Sequence, residues 1–279
     1  MEEGKPSRTA WAAASHRASH QLLDRPLVFE DPLALQIMDP AGEALVRQNI
    51  EFQRGRGGMR ALVVGRSCVV EDTLAAAVKQ GLRQYVLLGA GLDTFAYRNP
   101  YPDLRVFEVD HPDTQAWKKG HLERAGITPP ASLTFAPVNF EREALAEGLA
   151  RNGVDPATPT VFAWLGVVPY LTHDAIMATL ATIAAYPPGS QVVFDYGEPR
   201  ENLPEPMRAL LQARAQVMAS IGEPWISFFD PTDIAAELRR LGFSELEDLG
   251  GDEMNARYFA DRGDGLTFGP TAHVMRARV

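Results

Sequence analysis

The sequence predicts an α/β fold: a doubly wound, mostly parallel sheet of seven strands with helices on both faces. Three observations carry that reading. From Tyr85 onward, short apolar runs rich in β-branched and aromatic residues alternate with helical stretches, the rhythm of parallel βαβ units. The first run stops at Gly89-Ala90-Gly91, where glycine lets the backbone turn sharply and come close to a ligand. The second run ends in Asp110, nineteen residues beyond Gly91, at the tip of the next strand.

Ahead of the sheet, Ser7 to Leu23 is alanine-rich and places Trp11, Ala14, Ala18 and Leu22 on one helical face. Asp24-Arg25-Pro26 ends that helix. Asp31-Pro32 reads as the start of a second, with Asp31 as N-cap and Pro32 in the first turn. Gly55, Gly57 and Gly58 mark a loop or hinge, and Glu71 to Gly81 a helix closed by a glycine. Strands are expected at Tyr85–Leu88, Arg105–Val109, Ser132–Val138, Val161–Leu165 and Gln191–Phe194. Helices are expected at Leu92–Tyr97, Thr114–Arg124, Glu141–Arg151 and from Thr172 to Ala185. The rhythm then breaks. About 35 residues bearing Pro199, Pro204, Pro206 and Pro224 hold one helical stretch, Met207 to Ile221, in a place suited to covering a substrate. A helix at Pro231–Leu241 and strands at Ser244–Leu249 and Ala272–Val279 complete the chain, and Gly250 to Pro270 is too long for a simple hairpin turn.

These parts read as one domain over 1–279: a helical cap (1–60), a cofactor-binding core (61–195), an insertion (196–230) and a C-terminal helix with two strands (231–279). The charge balance of −9 and a pI near 5.2 argue against nucleic acid or an anionic membrane as partner. The lone cysteine, Cys68, allows no disulfide within the chain and reads as a small buried thiol, which fits a reducing cytoplasm. The opening MEEGKPSRTA has no apolar segment, and no apolar run approaches the roughly 20 residues of a membrane helix. The expectation is a cytoplasmic protein, with no oligomeric state indicated.

Strand, glycine turn, helix, strand and acid together form a nucleoside-binding unit. Asp110 is placed to accept hydrogen bonds from ribose hydroxyls, and Gly89 and Gly91, with Ala90 between them, to admit the cofactor to the backbone. A dinucleotide fingerprint would carry a third glycine where Thr94 stands. Asp93 puts a negative charge beside the turn, which repels a pyrophosphate and suits the ammonium of S-adenosylmethionine.

LGAGLDTFAYR followed by FEVDHP resembles the class I S-adenosylmethionine-dependent methyltransferases, whose fold is Rossmann-like with an antiparallel last strand. The sequence is most similar to the leucine carboxyl methyltransferase-like family, which includes many bacterial O-methyltransferases, over roughly Thr9 to Pro199. The resemblance implies that the N-terminal helices cap the cofactor pocket, that Arg66 grips the cofactor carboxylate, and that Arg17 lies near it. It also exposes two departures. Asn139-Phe140 stands where the family usually has Asp-Leu for the adenine, and Leu165 where it often carries Glu. Gly166 can let the backbone approach the ligand there instead.

On the acceptor side, Tyr170 and Tyr196 fall just past strand ends, where open α/β sheets bind ligands, and either could orient an acceptor. His111, beside Asp110, could act as a base. The six histidines form no metal motif, and methyl transfer from a sulfonium needs none. The reading is therefore an S-adenosylmethionine-dependent methyltransferase, an O-methyltransferase for a small carboxylate or hydroxyl compound. A nicotinamide-dependent oxidoreductase and a non-catalytic cofactor-binding relative stand as alternatives, the second because of Leu165.

Overall fold

The computed structural model describes residues 8–139, 143–220 and 222–279. Its frame is a seven-stranded sheet in the order β3-β2-β1-β4-β5-β7-β6. The strands are β1 (Gln84–Leu88), β2 (Arg105–Asp110), β3 (Leu133–Pro137), β4 (Thr160–Trp164), β5 (Gln191–Gly197), β6 (Glu245–Leu249) and β7 (Ala272–Arg278). β1 to β5 pair in parallel, whereas β7 runs antiparallel between β5 and β6. Chain order reverses between β1 and β4, so a crevice opens at their C-terminal ends.

The helices are α1 (Arg8–Leu23), α2 (Asp39–Gln48), α3 (Ile50–Arg54), α4 (Gly57–Lys79), α5 (Phe95–Arg98), α6 (Pro112–Ala125), α7 (Leu145–Arg151), α8 (His173–Ala184), α9 (Glu205–Ser220), α10 (Pro231–Leu241) and α11 (Gly251–Tyr258). α4 and α11 bury apolar residues on one face of the sheet, with Leu87, Ala163 and Val193. α7, α8 and α10 cover the other, with Val86, Phe162 and Phe194. A third cluster, including Ala14, Ala18, Ile37, Met38 and Leu92, seats α1 and α2 beside the glycine turn.

Three expectations are corrected. Asp31 starts no helix: residues 32–35 form turns, and Asp39-Pro40 opens α2 instead, the Asp39 carboxylate accepting from Ala41 and Gly42 N–H at 3.0 Å each. Asp31 is drawn into the interior, paired with Arg17 Nε at 2.8 Å and accepting from Thr94 Oγ1 at 2.6 Å. The hinge expected at Gly57 and Gly58 is the first turn of α4, which runs 23 residues rather than starting at Glu71. Glycine disfavours helix by only about 1 kcal/mol, and tertiary contacts along the same half of α4 oppose that cost. Arg60 pairs with buried Asp24, Arg66 with buried Asp195, and Gly65 lets Met254 pack so closely that a Cβ would lie 2.8 Å from it.

The helix expected at Leu92–Tyr97 is one turn, α5, because Asp93 folds back to accept from Phe95 N–H at 2.8 Å. The segment Gly250–Pro270 holds α11, whose Met254 is fully buried. Among the described residues no helix is long and apolar enough to cross a membrane.

Candidate active site

The site is built from the turn after β1. Gly89 and Gly91 both have positive φ, 72° and 45°, which side chains rarely tolerate. A Cβ on Gly89 would lie 2.5 Å from Val167 Cγ2, and one on Gly91 3.0 Å from the Ala10 side chain of α1. Gly89 and Ala90 N–H both donate to Val109 O, at 2.8 and 3.2 Å. Gly91 N–H donates to Asp110 Oδ2 at 2.7 Å, and His111 N–H to Asp110 Oδ1 at 2.7 Å. Burial pushes the Asp110 carboxyl up, and these two N–H groups pull against it. Each carboxylate oxygen keeps a lone pair beyond its backbone bond.

Behind the turn lies a charged group that sequence reasoning missed. Lys118 of α6 reaches Glu108 Oε2 at 2.7 Å and donates to Asp93 O at 2.8 Å, fastening β2, α6 and the turn together. Burial pushes Glu108 up to about 7 against the pull of Lys118. The only sequence signal is a lysine one turn beyond Thr114 on a helix with little amphipathic contrast.

The neighbouring edge, at the ends of β4 and β5, is organised around Arg66. Its Nη1 donates to Asp195 Oδ2 at 2.8 Å, and Gly166 N–H donates to Asp195 Oδ1 at 2.6 Å. Gly166 has φ 69°, and a Cβ there would meet the guanidinium at 2.8 Å. Leu165, half-buried, precedes it and packs toward the α4 side of the core. Tyr170 closes this edge: its hydroxyl accepts from Trp225 Nε1 at 3.1 Å, and burial pushes its pKa up.

The segment after α9 crosses above. Ile226 and Ser227 N–H donate to Pro169 O at 2.7 and 3.3 Å, and the Ser227 hydroxyl donates to Leu171 O. Glu223 accepts from the Arg8 and Thr9 N–H groups that open α1, at 2.8 and 3.0 Å. The chain thus runs across the edge, tied to β4's exit turn at one end and to the cap at the other.

The remaining candidates are placed less uniformly. Arg17 is buried beside the turn, its Nη2 donating to Leu92 O at 2.5 Å and its Nε paired with Asp31. His111 N-caps α6, its Nδ1 accepting from Asp113 N–H at 3.3 Å. Tyr196 is not brought to this edge: β5 alternation turns it to the face opposite Asp195, where it stacks on His273 and donates to Asp248 Oδ2 at 2.8 Å. Asn139 follows β3, its N–H donating to Glu143 Oε1 at 3.1 Å, and Phe140 lies outside the described residues. Cys68 is buried, its thiol pushed up to about 12, and so stays protonated. Among the described residues no group of three or more His, Cys, Asp or Glu is placed to hold a metal ion.

A switch-point crevice, a positive-φ glycine turn and an acid ending β2, on a sheet whose seventh strand is antiparallel, define a class I S-adenosylmethionine-dependent methyltransferase. The sequence profile of leucine carboxyl methyltransferase matches residues 10–184, and the chain belongs to that family. It is 30% identical over 99% of both chains to YktD of Bacillus subtilis (strain 168), which carries the name of an S-adenosyl-L-methionine-dependent methyltransferase. A Mycobacteroides abscessus protein with the same class name is 32% identical over 77% of this chain and 70% of its own. A Thermobifida fusca YX crystal structure described as a methyltransferase has the same fold, with TM-score 0.59 and 18% identity over 99% of this chain and 96% of that one. The chain is an enzyme whose methyl donor is S-adenosylmethionine, which sets aside the nicotinamide and non-catalytic alternatives.

Proposed function

We propose that the enzyme methylates an oxygen of a small carboxylate or hydroxyl compound. The observation that carries this reading is the roof over the β4–β5 edge, the 223–227 segment tied at both ends. A strap held to the cap and to the β4 exit turn limits the access that a folded protein partner would need. S-adenosylmethionine, when bound, supplies a methyl group on an already activated sulfonium, so the chain's task is positioning.

The residues at the turn suit that donor. Asp110 offers a carboxylate with lone pairs to spare for the two ribose hydroxyls. Gly89, Ala90 and Gly91 take the methionine part, since any larger residue at Gly89 would strike Val167. Arg66 has four N–H donors beyond the one serving Asp195, and takes the cofactor carboxylate. Arg17, already paired with Asp31, works beside it by fixing Leu92 and α1. Asn139 and Phe140 serve the adenine, and Leu165 borders the ligand with an apolar surface where Glu is usual.

Tyr170 orients the acceptor under the roof. A carboxylate acceptor is ionised at neutral pH and needs no base. For a hydroxyl acceptor, His111 is the imidazole nearest Asp110 in the chain, and it serves as base once Nδ1 gives up its bond from Asp113 N–H. Tyr196, held by Asp248 on the other face, has no part in the acceptor site.

The test is transfer from methyl-labelled donor to a panel of small carboxylic acids and phenols, with a peptide ending in leucine as the contrasting acceptor. The expected result is label in at least one small compound, lost on mild alkali for an ester and retained for an ether. Label in the peptide alone would overturn the reading.

A further inference from the structure

A second cavity, of about 320 Å³, lies in the helical cap between α1, α2 and α3. Its walls include Trp11, Ser15 and His16 from α1 and Phe52, Gln53 and Arg56 from the α3 region. Helix geometry separates it from the cofactor turn. Ala10 and Arg17 are the α1 residues that touch Gly91 and Leu92, and each residue advances about 100° round the axis. Ser15 and His16 therefore point away from that contact, Ser15 about 140° from Ala10, whereas Trp11 lies on the Ala14–Ala18 face that packs with Leu92. The cavity is on the Ser15–His16 side of α1, with Trp11 at its boundary toward the cluster around Leu92.

Two independent features mark it as built for a ligand. His16 is 4% exposed and Gln53 8%; the two side chains interact with each other, and neither His16 Nδ1 nor Gln53 Oε1 has a further hydrogen-bond partner among the described residues. Gln53 Nε2 donates instead to Ser15 Oγ at 3.1 Å. A buried polar atom left unmatched costs free energy unless something else meets it. The second feature is charge. No acid lines the cavity, and Arg56 at its rim has no carboxylate partner among the described residues. Arg214 of α9 lies near enough to repel it, and burial together with that repulsion lowers the Arg214 pKa. In a chain of net charge −9 this is a local reversal of sign.

The apolar part of the wall is equally unusual. Phe52 is 62% exposed at the cavity and Leu45 45%, while the Arg56 guanidinium sits 4.4 Å over the Phe52 ring. Ring, cation and buried acceptors describe one kind of occupant. We propose that this cavity is a second ligand site, separate from the cofactor turn, for a small aromatic carboxylate. Its ring system lies between Trp11 and Phe52, its carboxylate on Arg56, and a hydroxyl or water carried with it meets His16 and Gln53.

The probe is 1-naphthoate, titrated calorimetrically into the full chain with and without saturating S-adenosylhomocysteine. Binding is expected in both cases with affinity within about threefold, because the two ligands share no residues. Arg56→Ala and Phe52→Ala, both at exposed positions that leave the fold intact, are each expected to weaken 1-naphthoate at least tenfold, and 1-naphthalenemethanol is expected to bind at least tenfold more weakly than the acid. Displacement by S-adenosylhomocysteine would place naphthoate in the cofactor crevice and overturn the proposal. So would equal affinity in both variants, or no binding at all. None of these outcomes depends on methyl transfer, so the proposed acceptor chemistry stands or falls separately.

Discussion

The glycine turn after β1 and the edge formed by β4 and β5 are neighbours in the sheet, but they are assembled from very different distances along the chain. The turn is closed by a hydrogen bond between residues 19 apart, Gly91 and Asp110. The edge is closed by Arg66 with Asp195, 129 apart, by Tyr170 with Trp225, 55 apart, and by Glu223 with the start of α1, 215 and 214 apart. The turn uses backbone N–H groups and one acid, which any sequence with that local pattern supplies. The edge depends on side chains that only the finished fold brings together. On the proposed assignment, the ribose and methionine backbone contacts are local, whereas Arg66 for the cofactor carboxylate and the acceptor edge are assembled at long range.

If that contrast is right, damage to the edge should cost folding more than cofactor binding. Asp195→Ala leaves Arg66 buried without its counter-charge, and breaking a buried pair typically costs about 3–5 kcal/mol. Urea unfolding should show that loss, with Asp195→Asn less damaging because it can still accept from Gly166 N–H. A wild-type midpoint in Asp195→Ala would show that the edge does not depend on the pair.

Acid should act next, through the cap that spans both regions. Burial and the positive charges of Arg56, Arg60 and Arg66 lower His16 to about 4. The folded state therefore binds this proton less readily than the unfolded chain. Its contribution is full above pH 6.5 and is lost as pH falls toward 4, about 3 kcal/mol in all. Stability measured across that window should fall, and His16→Gln should flatten the fall. An unchanged slope in the variant would assign the acid sensitivity elsewhere.

The smallest effect sharpens the acceptor side. Tyr170→Phe removes the acceptor for Trp225 Nε1 and should cost about 1 kcal/mol of stability. S-adenosylhomocysteine affinity should stay within about twofold, while methyl transfer to the acceptor slows. Equal loss in both would mean that Tyr170 serves the cofactor as well.

The same contrast explains what can be read from the residues in order. β1, the glycines and the acid ending β2 are written consecutively, so sheet and turn are legible in the amino-acid sequence alone. The edge is visible there only as scattered candidates. Arg66 stands in a stretch that looks like a glycine-broken loop, because the charge pairs of α4 act across the fold rather than along it. Asp31 resembles an N-cap because capping and ion pairing call for the same residue type, and only the presence of Arg17 and Thr94 decides between them. Tyr196 and Asp195 are adjacent in sequence, yet strand alternation sends them to opposite faces, and which one meets the crevice depends on register. Lys118 gives little signal because its partners, Glu108 and Asp93, come from other elements.

The claim that Asp110 anchors the cofactor can be tested by titrating S-adenosylhomocysteine into wild-type and Asp110→Ala protein while following the unfolding midpoint of each. A hydrogen bond to a charged acceptor contributes about 1.5–3 kcal/mol, so loss of even one should weaken binding on the order of tenfold to a few hundredfold. Loss of the Gly91 and His111 bonds should also cost stability, on the order of 1.5–3 kcal/mol per bond, offset by relief of the buried carboxylate's desolvation, with the protein still folded. A folded Asp110→Ala protein with wild-type affinity would contradict the account, leaving Asp110 a brace for its own turn and nothing more.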